Sequence, residues 1–310
     1  HRVDRRQRQM CIRDRPSPLS NSLTEPGMKT LLAAIYALAL VGEQDAATPD
    51  AAPAAVLEVQ HRADAVGDRR VFVSETELSS SGAGGDARQV NRQKFELETM
   101  AASTEGVTLR FRLLEASLTD SSAPDLERLL KAWIGVDVVI SADSAGRPIA
   151  FEDWPAVRDA YAARLGSLGL TKGERDVLVA GLDTLSSEVR LSQLLSDVAL
   201  LAEMQPRQPL TEGRFEQPVQ SAGETSRSGV QSVSRSVDGC GLLLTRSLSA
   251  EGPGSAGAAD SMKRDTRATL YVTDGWVSEV SRTTTMRVGH ERSDEVVRIV
   301  RDPPPPCPAA

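Results

Sequence analysis

Residues 107–113 read VTLRFRL. In an extended chain successive side chains point to opposite faces, so Val107, Leu109, Phe111 and Leu113 share one face and Thr108, Arg110 and Arg112 the other. One apolar face and one wet face is the pattern of an antiparallel sheet, whereas strands of a parallel sheet, covered on both sides, read as unbroken apolar runs. The same alternation appears upstream in VFVSETEL at 71–78 and in KFELET at 94–99, where Phe95, Leu97 and Thr99 oppose Lys94, Glu96 and Glu98. Gly67-Asp68, Gly82–Gly85 and Thr104–Gly106 break these runs and supply turns. The first half of the chain therefore predicts a meander of long strands.

The middle changes period. PDLERLLKAWI at 124–134 places apolar residues at 126, 129, 130, 133 and 134, with Pro124 suited to a first helical position. The hairpin VDVVISADSAGRPIAF follows at 136–151, turning near Asp143–Gly146. Helical periodicity then runs from Pro155 to about Met204, a helical insert over about 155–204. Thr171 and Glu174 have capping-box spacing, Ser187 is a candidate cap for EVRLSQLLSDVALLAEM, and Pro206 ends the run. The apolar stripes of these helices need a partner, and the nearest is the apolar face of the sheet.

Strands return after Pro209. VQSVSRSV at 230–237 turns through DGCG at 238–241 into LLLTRSLSA at 242–250, and a Gly/Ala/Ser loop spans 252–261. RATLYVTDGWVSEVSRTTTMRV at 267–288 carries Asp274-Gly275 between two alternating runs, the strongest hairpin signal in the chain. EVVRIVR at 295–301 closes the series. Meander, helical insert, meander is the grammar of an α+β domain, here one large curved antiparallel β-sheet with the helices packed on its concave face.

Outside this domain (56–301) the chain divides further. MKTLLAAIYALALVG at 28–42 has a cationic start and an eleven-residue apolar run from Leu31 to Val41, which reads as a signal peptide. The run is too short to span a membrane, which takes roughly 20 apolar residues. It implies a periplasmic or extracellular mature protein. Residues 1–27 read as a non-native or mis-called extension, with a basic nucleic-acid-binding arm as the rival reading. EQDAATPDAAPAA at 43–55 reads as an Ala/Pro-rich linker, and DPPPPCPAA at 302–310 as an extended Pro-rich tail.

The chain has 36 basic and 43 acidic residues; residues 1–27 hold six and three of them, leaving 30 against 40. A negative body disfavours nucleic acid as a partner. Two cysteines follow the apolar run, Cys240 and Cys307. An exported protein can keep a disulfide between them, and two unpaired thiols is the open alternative.

No residue set carries an established chemistry. GPGSAG at 252–257 matches the letters of a dinucleotide loop but lies in a Gly/Ala/Ser run with no helix to follow. His61 and His290 are far apart, and with Cys240 and Cys307 match no zinc spacing, so neither metal nor cofactor is expected. Glu75 with Glu77, and Glu96 with Glu98, share strand faces, where a solvated face is the plain reading and a glycosidase pair the sharp one. Arg110 and Arg112 are expected to pair with facing carboxylates. Trp133, Trp154 and Trp276 are the candidate pocket-lining or exposed aromatics. Core packing is the plainer role for them; Trp276, after a turn, is the one expected at the surface.

In element order residues 56–301 resemble the half-barrel of the periplasmic lipoprotein carriers and of several uncharacterised exported bacterial domains. The residues that carry the resemblance are the hairpin ISADSAGRPIAF, the helix ending before Pro206, the re-entry PLTEGRF at 209–215 and the hairpin LYVTDGWVSEV at 270–280. The resemblance implies a lipid, acyl chain or other apolar small molecule held between sheet and helices, and no catalytic residues. The expectation is thus an exported, non-enzymatic binding protein. The alternatives are a cell-envelope interaction module with a filled core that binds a partner protein, and an unrecognised hydrolase.

Overall fold

A computed structural model describes residues 56–57, 64–82, 85–119, 124–206, 210–217, 226–236, 240–253, 260–271 and 276–304. All lie within one compact unit spanning 45–310. The expected signal peptide and the 1–27 extension lie outside the described residues, as do the linker 43–55, the Asp274-Gly275 turn, His61 and Cys307.

The strands are β1 (Val56–Leu57), β2 (Arg69–Ser81), β3 (Ala87–Ala102), β4 (Gly106–Thr119), β5 (Asp137–Asp143), β6 (Pro148–Phe151), β7 (Leu210–Thr211), β8 (Gly213–Gln217), β9 (Ser226–Arg235), β10 (Gly241–Gly252), β11 (Asp260–Tyr271), β12 (Val277–Val288) and β13 (Glu291–Arg301). The helices are α1 (Pro124–Lys131), α2 (Trp154–Ser167), α3 (Lys172–Thr184), α4 (Ser187–Leu194) and α5 (Ser196–Glu203). β1 and β7 form a small separate pair. The other strands form one curved eleven-stranded antiparallel sheet, ordered β6-β5-β4-β3-β2-β13-β12-β11-β10-β9-β8 and not closed into a barrel. The two meanders meet where β13 pairs with β2, and α2 to α5 lie in the chain between the edges β6 and β8.

Facing residues of antiparallel neighbours point to the same side, so the register lists what lines the interior, row by row. Phe72, Phe95 and Leu113 form one row, Leu97, Phe111 and Val138 the next, and Leu109 with Ile140 the third. The C-terminal strands continue this apolar zone with Leu242 opposite Leu270, and with Leu244, Ala268, Val280 and Ile299 side by side. Phe72, Phe95, Leu109, Ile140, Val280 and Ile299 are fully buried.

α5 is one of the elements that bury them. Val198, Leu200 and Leu201 of this helix, with Leu195 and Met204 at its ends, join both meanders in one apolar cluster. A smaller cluster of Ala132, Tyr161, Leu165 and Leu170 holds α2 against the end of α1. The helices start where local chemistry dictates. Thr171 and Glu174 form a reciprocal capping box on α3. Ser186, one residue before the expected Ser187, caps α4 by accepting from the Val189 amide at 3.2 Å.

Candidate functional site

The apolar zone covers only part of the interior. One row further along, the inward side chains become Gln231, Arg246, Thr266, Arg282, then Val297, Thr76 and Asn91. The following row runs Leu248, Arg264, Thr284, Glu295, Leu78. Beyond it lie Ala250, Met262, Met286 and Ser293. The concave face is therefore stratified: an apolar zone under α5, a polar belt carrying three arginines, then a mainly apolar rim. Ala250, Met262 and Met286 are buried, yet none belongs to the cluster that contains α5.

Within the belt the charges are unevenly matched. Arg282 Nη2 pairs with Glu295 at 3.1 Å, and its Nε is buried without a partner. Arg246 donates from Nε to the Gln231 side-chain oxygen at 3.0 Å and from Nη1 to the Glu203 carbonyl at 3.1 Å. Asp197, in the first turn of α5, is held by the Ser74 hydroxyl, and burial pushes its carboxyl above the ordinary range. Arg264 is 6% exposed, and its Nε has no partner. Burial and the neighbouring Arg282 lower its pKa, against the more distant attraction of Glu203 and Glu295. The Thr284 hydroxyl and the Asn91 side-chain oxygen are likewise buried and unpartnered.

The tryptophans do not share one site. Trp133 stacks on Tyr161 with ring centroids 4.0 Å apart, and burial pushes the Tyr161 phenol up to about 12. Trp154 leads α2, donates from Nε1 to Asp183 at 2.9 Å, packs on Phe151 and lies beneath the Arg190 guanidinium. Trp276, expected at the surface, is 7% exposed. Its Nε1 donates to Asp64 at 3.0 Å, and the Arg70 guanidinium sits 4.0 Å over its ring. Arg70 in turn pairs with Asp64 at 2.5 Å. The aromatic is buried because its polar partners come from residues some 200 positions earlier, which a turn signal cannot reveal.

Three of the four paired carboxylates are tied to arginines. Glu75 pairs with Arg92 at 2.6 Å, Glu77 with Arg88 at 2.7 Å, and Glu98 with both Arg110 and Arg69. Arg112 chelates Asp137 at 2.5 and 2.8 Å and holds that carboxyl below its usual range. Both strand arginines thus face carboxylates. An open recess at one end of β2, β3 and β13, about 340 Å³, is lined by Ser79–Ser81, Asp86, Arg88 and Asp294. Among the described residues no cluster of three His, Cys, Asp or Glu side chains could hold a metal. His290 is exposed in the turn before β13. Cys240 is buried and disulfide-bonded.

The polar belt escaped sequence reading because the strand around Arg264 alternates between two polar faces. Lys263, Asp265 and Arg267 point out; Arg264 and Thr266 point in. Counting by twos from Leu270 and Ala268 is the one signal that places Arg264 inside.

No family model matches the chain, and no curated protein does. Among solved structures it is similar to one titled for lipid–protein interactions in lipovitellin, at 11% identity and a TM-score of 0.40, covering 79% of this chain. The chain spans only 26% of that lipovitellin chain. DynF of the dynemicin biosynthesis pathway of Micromonospora chersina matches at 7% identity and a TM-score of 0.22, covering 84% of this chain and 91% of that one. An outer membrane channel from Pseudomonas putida F1 matches at 9% identity and 0.20, covering 80% and 100%. These TM-scores are too low for function to pass to this chain from any of them.

Proposed function

We propose that this is an exported, non-enzymatic protein that holds one apolar ligand on the concave side of its open sheet, in the part that α5 leaves uncovered. The observation that carries this reading is the stratified interior. The apolar zone under α5 is closely packed and leaves no role for a ligand there, with Leu201 at 2% and Met204 at 0% exposure. Past the polar belt the inward face turns mainly apolar again at Ala250, Met262 and Met286, with Ser293 beside them. A helix-covered sheet built only for stability has no use for a second apolar stratum beyond a row of arginines, since each buried charge costs several kcal/mol to desolvate. An acyl chain is the occupant whose shape fits a narrow apolar stratum along strand ends.

The packed zone under α5 favours a second reading, an envelope interaction module that binds a partner protein and no small molecule. Two measurements separate them. The protein is purified from the periplasmic fraction of a host expressing the full chain, extracted with organic solvent and examined for lipid. Its affinity for decanol is then measured by displacement of a fluorescent apolar probe. Saturable one-to-one binding supports the ligand-holding reading. A protein that binds neither probe nor decanol is an interaction module. Recovery of the chain in the periplasm with residues 28–42 removed supports export, and retention in the cytoplasm with those residues intact overturns it.

A further inference from the structure

Among the described residues of the polar belt, Arg264 is the arginine with neither a hydrogen bond nor an ion pair. Arg264 sits on β11 between Leu248 of β10 and Thr284 of β12, with Met262 and Thr266 as its same-face neighbours along the strand. It is 6% exposed, and among the described residues it makes no hydrogen bond and no ion pair. Burying a guanidinium without a counter-charge is costly enough that such groups are normally paired. The nearby carboxylates are engaged elsewhere or stand off. Glu295 is bound to Arg282, Asp197 is held by Ser74, and Glu203 acts on Arg264 only at a distance.

Three further unsatisfied groups share this interior. The Arg282 Nε and the Thr284 hydroxyl lie in adjacent positions of the sheet, and the Asn91 side-chain oxygen lies across it. A guanidinium Nε–H, a second guanidinium N–H and a hydroxyl all donate. These three donors lack acceptors and call for an anion with several acceptor oxygens, while the Asn91 oxygen, itself an acceptor, stands four strands away. On the strand-end side this set is bordered by Ala250, Met262 and Met286, with Ser293 beyond Met286, while Leu248 flanks Arg264 within its own row.

We propose that Arg264, aided by Thr284 and the free Nε of Arg282, receives the anionic head of a single-chain amphiphile whose tail runs out along Met262, Met286 and Ala250. The ligand enters head first, with its charge at the polar belt and its chain in the apolar rim. The inference rests on the ligand-holding reading above and adds the chemistry of the head. A carboxylate and a phosphate monoester both supply the acceptors, and the test distinguishes them.

The test uses the full chain, wild type and Arg264→Met, titrated with decanoate, decyl phosphate and decanol. Wild type binds decanoate or decyl phosphate at least about tenfold more tightly than decanol, the scale of charge-assisted hydrogen bonds in a buried site. Whichever anion is tighter names the head group. Arg264→Met abolishes that preference, so that decanoate and decyl phosphate bind no more tightly than decanol, and it melts at or above the wild-type temperature because an uncompensated buried charge has gone. Arg264→Gln serves in the same assays should the Met variant misfold. Equal wild-type affinity for decanoate, decyl phosphate and decanol overturns the anionic head while the apolar-ligand reading stands. An Arg264 variant that keeps the anion preference also overturns it. Failure of all three probes to bind overturns both.

Discussion

Arg246 donates to the main-chain carbonyl of Glu203 at 3.1 Å, joining the middle of β10 to the last turn of α5. The last carbonyls of a helix lack intrahelical donors and carry partial negative charge, so a cation there satisfies both needs. α5 has only eight residues, too few to be stable alone. It is fixed by its apolar contacts and by polar clasps at either end, Ser74 on Asp197 and Arg246 on Glu203. Arg246→Met removes the second clasp. The expected loss is about 1–3 kcal/mol, read as a lower urea midpoint, with faster amide exchange in 196–204 before other segments. An unchanged midpoint and uniform exchange would show that apolar contact alone holds α5.

The first clasp makes stability depend on pH. Burial raises the Asp197 carboxyl above its ordinary 3.8, with the Ser74 hydrogen bond and Arg282 opposing and Glu295 adding to the rise. The folded state therefore holds the proton more tightly than the unfolded chain. The contribution is fully present below the unfolded pKa and is lost as pH rises through the folded one. Asp197→Asn keeps an acceptor for Ser74 and removes the charge. The variant is expected to exceed wild type in stability at pH 7, with the gap closing as pH falls toward 3.8. Denaturation at a series of pH values checks this, and a gap that widens toward acid would reverse the sign.

How much of this was legible follows from how local each signal is. VTLRFRL marks its own inward face, and Val107, Leu109, Phe111 and Leu113 are all buried as the alternation requires. The Thr171–Glu174 box is a contact between residues three apart and was readable for the same reason. The α4 cap sits at Ser186, not Ser187, because two adjacent serines offer the same side chain and only the backbone decides between them. The pairing of β13 with β2 joins residues more than 200 positions apart, and no local pattern encodes it. The polar belt was hidden for a different reason. Around Arg264 both strand faces are polar, so alternation loses its contrast where the unmatched charge sits.

Asp64 links Arg70 and Trp276, accepting from both through one carboxylate oxygen at 2.5 and 3.0 Å. Arg70 is 7% exposed, and burial lowers its pKa against the pull of Asp64. Removing one member of a buried pair strands the other charge, which costs more than the pair itself contributes. Asp64→Asn leaves Arg70 only the longer pair with Asp68 at 3.7 Å and is expected to destabilise by up to about 3 kcal/mol. Trp276→Phe keeps a ring under Arg70 and loses only the N–H, so about 1 kcal/mol is expected. Thermal melts of the two variants give the order. A Phe variant worse than the Asn variant would assign the stability to ring volume instead of charge.

Cys240 lies in the turn before β10, buried and disulfide-bonded. We propose Cys307 as its partner. The bridge would close a loop of about 67 residues and restrict the unfolded chain by roughly 4 kcal/mol on the chain-entropy model. It would also tie the Pro-rich tail to a strand on the far meander from β2. Peptide mapping without reductant is expected to yield one cross-linked fragment holding both cysteines. Cys240→Ser and Cys307→Ser should each lower stability by that amount, and the double variant by no more than either single, because one bond is lost in all three. Additive losses, or two free thiols by mass under non-reducing conditions, would refute the pairing.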